Sequence, residues 1–203
     1  MIFDPGTGLL SFWQLIQPFD EWLIVHINQQ WGNGFFDTVL PYTRETLTWI
    51  PLYLFLILFA TMNFGIKSIW WILGFVLTAV LADLISSQGI KQTIWRTRPC
   101  RDLSVATQLR FFINYCPGSS SFTSSHATSH FGQAMFLWLT LRSVIGKWAS
   151  LFFIWALIIG YTQVYVGVHY PFDVFCGAIL GCGIGFLTGK LFNRQIGMLS
   201  VDK

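Results

Sequence analysis

From Thr46 onward, long apolar runs alternate with short polar ones. Thr46–Ile66 is uncharged and lies between Glu45 and Lys67; Ser68–Ile90 carries one charge, Asp83; Trp148–Val168 carries none. Ala127–Leu141 and Val174–Gly189 are shorter, yet each suffices if its helix begins at the polar residues just before it. A bilayer crossing takes about 20 helical residues, with a lower limit near 17. The pattern therefore predicts an all-α fold, a polytopic membrane helical bundle of about five spanning helices. Leu9–Trp31 reads differently. It mixes Trp13, Leu15, Ile16, Trp22, Leu23 and Ile24 with Gln14, Gln17, Asp20, Glu21 and Gln29, which predicts an N-terminal amphipathic helix at the membrane interface. A sixth span there is the alternative, opposed by Asp20 and Glu21 in its middle. The expected layout is an interfacial segment over 1–45, a transmembrane domain over 46–195 and a cytoplasmic tail over 196–203. Gly177, Gly181, Gly185 and Gly189 recur every fourth residue and form a helix-packing stripe.

Composition excludes a soluble globule. Hydrophobic residues make up 54% of the 203, charged residues 10%, and the mean hydropathy is +0.57, whereas soluble domains carry roughly 25% charged residues. With five crossings, one side holds Lys67, Arg142, Lys147, Lys190, Arg194 and Lys203 against Asp202. The other holds Arg44 against Asp4, Asp20, Glu21, Asp37 and Glu45. The positive-inside rule then puts the C-terminus in the cytoplasm and the N-terminal segment outside, in a cytoplasmic (inner) membrane. One outer loop breaks the rule: Lys91, Arg96, Arg98, Arg101 and Arg110 face only Asp102. A basic loop on the outer side points to anion binding.

Three short segments fall on that same outer face by helix parity. They are Lys91–Pro99, Ser121–His126 and Gln163–Asp173. Lys91 is a point charge, and Arg98 is a planar fork able to grip two phosphate oxygens. Ser124 and Ser125 precede a helix whose first N–H groups favour an anion. His126 begins that helix and can give a proton to a leaving oxygen. His169 lies four residues before Asp173, at the expected start of the last helix. A carboxylate there can hold one imidazole nitrogen and leave the other free to attack phosphorus.

This arrangement resembles the type-2 phosphatidic acid phosphatase superfamily, which shares its site architecture with vanadium haloperoxidases. The family pattern is a Lys, six residues, then Arg-Pro; a Pro-Ser-Gly-His; and an Arg, five residues, His, three residues, Asp. Here the first block matches at Lys91, Arg98 and Pro99, and the second at Ser124 and His126, with Thr123 and Ser125 replacing proline and glycine. The third matches at His169 and Asp173, with Gln163 in place of arginine. The resemblance implies His169 as nucleophile, Asp173 as its orienter, His126 as acid, and Lys91, Arg98, Ser124 and Ser125 as phosphate ligands. It implies a lipid phosphate or diphosphate as substrate, membrane lipids as the surroundings, no cofactor, no metal and no nucleic acid. Undecaprenyl diphosphate, phosphatidic acid, phosphatidylglycerol phosphate and lipid A phosphates all stay open. Gln163 brings no charge to the transition state; Arg96, Arg101 and Arg110 are candidates to compensate.

Other residues have plainer readings. His126 and His130 stand at metal-ligand spacing without an acidic third ligand nearby, so His130 is expected to be a core or supporting histidine. Asp83 either is a buried group satisfied by neighbouring helices or supports Lys91 and Arg98. Cys100 and Cys116 share the outer loop and are expected to pair, with two free thiols as the alternative. The rival functions are a phosphatase of soluble phosphoesters and a non-enzymatic binder of anionic headgroups. The sequence carries no signal of oligomeric state.

Overall fold

The computed structural model describes residues 5–197, and every regular element among them is helical. Residues 198–203 of the expected tail lie outside the described residues. Helices α1 (Pro5–Val25) and α2 (Gly34–Thr43) form the N-terminal segment. Helix α3 (Ile50–Phe64) starts with Pro51 in its first turn and stops at Gly65, whose φ is +52°. Helix α4 (Lys67–Asp83) runs on through a π-helical stretch, Leu84–Ile90, into the short α5 (Lys91–Thr93). A loop with one helical turn, α6 (Leu103–Ala106), leads to α7 (Ser125–Ile145), α8 (Leu151–Tyr165) and α9 (Pro171–Gln195).

Four helical runs are long and apolar enough to cross a membrane: Thr46–Phe64, Lys67–Thr93, Ser125–Tyr165 and Pro171–Gln195. The third spans 41 residues. Straight, it would reach about 60 Å, twice a bilayer core of about 30 Å. Gly146, with φ +60°, folds it into two helices. They run antiparallel, because Trp138 meets Phe153 near the turn and His130 meets Trp155 further from it. Lipid-facing positions carry exposed Leu54, Leu58, Trp70, Leu77, Ile154 and Ile179, as expected where the solvent is hydrocarbon rather than water.

Two contacts set the site. Helices α7 and α9 touch backbone to backbone along the glycine stripe. A Cβ at Gly181 would sit 2.2 Å from the Thr128 carbonyl oxygen, and one at Gly185 would sit 2.1 Å from that of Gly132. Only glycine permits this approach. Helix α1 makes the second contact. Phe12, Leu15, Phe19 and Trp22 face outward, while Asp20, Ile24 and Ile27 are buried. This segment thus turns Asp20 into the protein and an apolar stripe outward.

Candidate active site

Asp173 is wholly buried in the first turn of α9. Its Oδ2 accepts from the Tyr170 N–H at 3.0 Å and from the Ser121 hydroxyl, and its Oδ1 accepts from Arg96 Nη1 at 2.6 Å. Gly167, at φ +79°, lets the chain turn so that His169 comes back over this carboxylate. The His169 N–H donates to the Gln163 carbonyl at 3.2 Å. The imidazole is 3% exposed. Its Nδ1 lies 3.8 Å from Asp173 Oδ2, beyond hydrogen-bond reach, and 3.5 Å from Ser121 Oγ. Ser121 therefore stands between the carboxylate and the ring.

Nε2 of His169 lies 3.0 Å from Arg98 Nη1. A guanidinium only donates, so Nε2 holds the lone pair and Nδ1 the proton. Burial pushes His169 down to about 3, with the Arg98 and Lys91 charges adding to it. The ring is neutral at physiological pH, and its basic nitrogen faces the cations.

Arg98 is 5% exposed and fixed by backbone. Its Nε donates to Ser119 O at 2.9 Å, Nη1 to Val168 O at 3.0 Å, and Nη2 to Ser120 O at 3.1 Å. Burial lowers Arg98 to about 10, with the Arg44 and Arg101 charges acting the same way against Asp173; it stays charged at neutral pH. Lys91 reaches the same loop, donating from Nζ to Ser120 O at 2.9 Å. Ser124 caps α7, accepting from the Ala127 N–H at 3.4 Å. Ser125 Oγ lies 3.0 Å from Ser86 Oγ, which ties the π-helical stretch to the start of α7. His126 lines a cavity of about 430 Å³ with Ser125, Asp83 and Thr46. A second cavity, about 400 Å³ and lined by Tyr53, Leu56, Trp71 and Phe75, shares Thr46, Ala79, Val80 and His130 with the first. Apolar side chains of α3 and α4 thus line the second cavity, next to the one that holds His126.

The remaining expected residues fall elsewhere. His130 donates from Nδ1 to the His126 carbonyl at 2.8 Å and packs edge-on against Trp155. Among the described residues, no group of three or more His, Cys, Asp or Glu side chains is placed to hold a metal ion. Asp83 is exposed at the cavity rim and accepts from Ser87, not buried between helices. Arg110 is taken up by Asp37, at 2.9 and 3.2 Å, and by the Asn28 carbonyl. Arg101 is exposed and donates to the Cys116 carbonyl at 3.1 Å. Cys100 and Cys116 are joined as a disulfide, which closes the loop that follows Arg98. Gln163 is fully buried, and neither atom of its amide finds a partner among the described residues.

Three residues, Gln17, Asp20 and Ser121, escaped the sequence reading of roles, and Arg96, expected as a candidate to compensate for Gln163, is instead committed to two carboxylates. Arg96 is the hub. Beyond Asp173, its Nη2 donates to Asp20 Oδ2 at 2.7 Å and to Gln17 Oε1 at 2.8 Å. Its plane lies between the rings of Trp13 and Tyr170, at 4.5 and 4.2 Å. Asp20 Oδ1 also accepts from the Phe172 N–H at 2.9 Å. Gln17, Asp20, Arg96 and Ser121 thus hold Asp173 without facing the cavity of His126. The available signal was an acid in the middle of an otherwise apolar helix, a costly placement that demands a cation.

A buried imidazole beside a buried guanidinium, a buried lysine on the same loop and a second histidine at the start of α7 are groups suited to phosphoryl chemistry. The comparisons agree, and the family is settled: the chain belongs to the PAP2 superfamily, whose model matches residues 68–196. It is 30% identical over 173 residues to a lipid A 4'-phosphatase of Bacteroides thetaiotaomicron, covering 84% of this chain and 76% of that protein. It is 31% identical over 161 residues to an undecaprenyl-diphosphatase of Sulfolobus acidocaldarius, covering 78% and 70%. Among solved structures, LpxE of Aquifex aeolicus superposes with a TM-score of 0.59 at 25% identity, over 83% of this chain and 93% of that one. The transmembrane phosphatidylglycerolphosphate phosphatase of Bacillus subtilis shares the fold, with a TM-score of 0.62 at 21% identity over 96% and 98%.

Proposed function

We propose that this membrane lipid phosphatase works through a phosphohistidine on His169, at the outer face of the membrane, on a lipid phosphate or lipid diphosphate. The carrying observation is His169 Nε2, 3.0 Å from Arg98 Nη1, with Arg98 and Lys91 both buried. Nε2 attacks phosphorus, and the bond from phosphorus to the lipid oxygen breaks. His126 donates a proton to that oxygen. Water, giving its proton to His126, then cleaves the phosphorus–nitrogen bond, releasing phosphate and restoring His169. Lys91, Arg98 and the N-terminus of α7 neutralise the charge that spreads over the phosphoryl oxygens.

The apolar cavity between α3 and α4, next to that of His126, favours a lipid over a soluble phosphoester. Five crossings follow if α7 and α8 each span, which puts the Lys91–His126 loop opposite the basic Arg142–Lys147 turn. The relatives named as acting on lipid A and on undecaprenyl diphosphate support a bulky lipid phosphate. Purified protein given a panel of lipid phosphates and a soluble phosphoester is expected to prefer the lipids. It should form an acid-labile phosphoenzyme that His169→Gln abolishes together with turnover. Near-normal phosphate release by His169→Gln would overturn the mechanism.

A further inference from the structure

Gln163 occupies the position where the family pattern has an arginine, and its buried amide is unpartnered. A second buried residue nearby has the complementary property. Arg44, at the C-terminal end of α2, is 6% exposed, yet its Nε and Nη1 have no hydrogen-bond partner among the described residues. Nη2 alone is held, donating to the Tyr115 hydroxyl at 3.0 Å. Glu45 approaches Nε only to 4.0 Å, from the exposed side. A guanidinium buried with free donors implies a missing anion.

Its surroundings relate that anion to the site, and the Arg44 charge is felt at Arg98. Thr43, one residue before Arg44, meets Thr162, one residue before Gln163, with the hydroxyls 2.7 Å apart. Thr46, two residues after, lines the cavity of His126. Tyr115 precedes Cys116, whose disulfide to Cys100 joins it to the loop of Arg98. The other candidate cations are engaged elsewhere: Arg96 by Asp20 and Asp173, Arg110 by Asp37, and Arg101 by the Cys116 carbonyl.

We propose that Arg44 is the third phosphate-binding cation of this enzyme, delivered from the turn between α2 and α3 into the place that an arginine at 163 would serve. The inference rests on the phosphatase reading and names one more ligand of that same phosphoryl group. It also gives the N-terminal segment a part in the chemistry.

Orthovanadate, a phosphate analogue, is the probe, with binding measured by calorimetry on purified protein. Arg44→Gln should weaken vanadate binding about 10- to 100-fold, the scale of one charge-assisted hydrogen bond, and lower kcat/KM alongside. Adding Gln163→Arg to Arg44→Gln should restore most of the loss, a rescue that a merely structural role for Arg44 would not give. Wild-type affinity in Arg44→Gln overturns the proposal. So does a double variant that binds no better than the single one. Should Arg44→Gln fail to fold, the double variant decides alone: folded protein with near wild-type binding supports the exchange, and unfolded or weakly binding protein overturns it. If wild-type protein binds vanadate but releases phosphate from no lipid, the lipid phosphatase reading fails while the Arg44 comparison still stands.

Discussion

At the level of single side chains, the site is organised around a carboxylate that never touches its histidine directly. Asp173 is bound by Arg96, by Ser121 and by the Tyr170 N–H, and Ser121 is the group next to His169 Nδ1. Arg96 in turn leans on Asp20, a residue far away in sequence. Removing one partner of a buried ion pair leaves the other uncompensated. Asp20→Asn keeps the shape but deletes the charge, so the Arg96 guanidinium loses its ionic partner on α1 and its grip on Asp173 loosens. Gln17 and Trp13 still hold Arg96 to α1, so we expect kcat/KM to fall up to about 10-fold, the lower end of one charge-assisted hydrogen bond of about 1.5–3 kcal/mol. Steady-state kinetics on the purified variant check this. Wild-type rates would mean that Arg96 holds Asp173 unaided.

Helices set these side chains against one another through close backbone packing. The stripe of Gly177, Gly181 and Gly185 lets α9, which carries Asp173, lie directly on α7, which carries Ser124 and His126. The Ser124 N–H donates to the Asp173 carbonyl at 3.2 Å across that contact. Gly181→Leu cannot fit beside the Thr128 carbonyl, so the helices must part. Overpacking of this kind costs roughly 1–3 kcal/mol, and it moves His126, the proposed proton donor, away from His169, the proposed nucleophile. The expected outcome is a lower melting temperature with a drop in kcat larger than the change in KM. Gly183→Leu is the control, because nothing lies within 4 Å of a Cβ there. Equal behaviour of the two variants would remove the packing argument.

For the molecule as a whole, the question is which side of the membrane the site faces. The Cys100–Cys116 disulfide bears on it, because a structural disulfide persists outside the reducing cytoplasm. Protein extracted from cells without reductant is expected to yield a peptide with Cys100 linked to Cys116, seen by mass spectrometry. Complete alkylation of both thiols in unreduced protein would put the loop on the cytoplasmic side and reverse the proposed orientation.

The local sequence determined much of this. Apolar runs of span length fix helices in a bilayer because the backbone has no other way to satisfy its hydrogen bonds there. The spacing Lys91 to Arg98, and His169 to Asp173, carried the family and the chemistry, since each pair lies within one loop or helix turn. The glycine period every fourth residue foretold a close helix contact, and the fold gives it to α7. Tertiary structure decided what depends on residues far apart in the chain. Nothing local marks Asp20 as the partner of Arg96, Ser121 as the hydroxyl next to both Asp173 and His169, or Arg44 as a buried cation whose neighbour Thr43 meets Thr162. Asp83, expected to be buried or supporting, lies exposed at the rim because its turn of the helix faces the cavity. A charge's role is set by which charges the fold brings within a few ångströms of it, and sequence spacing specifies that only within a single element.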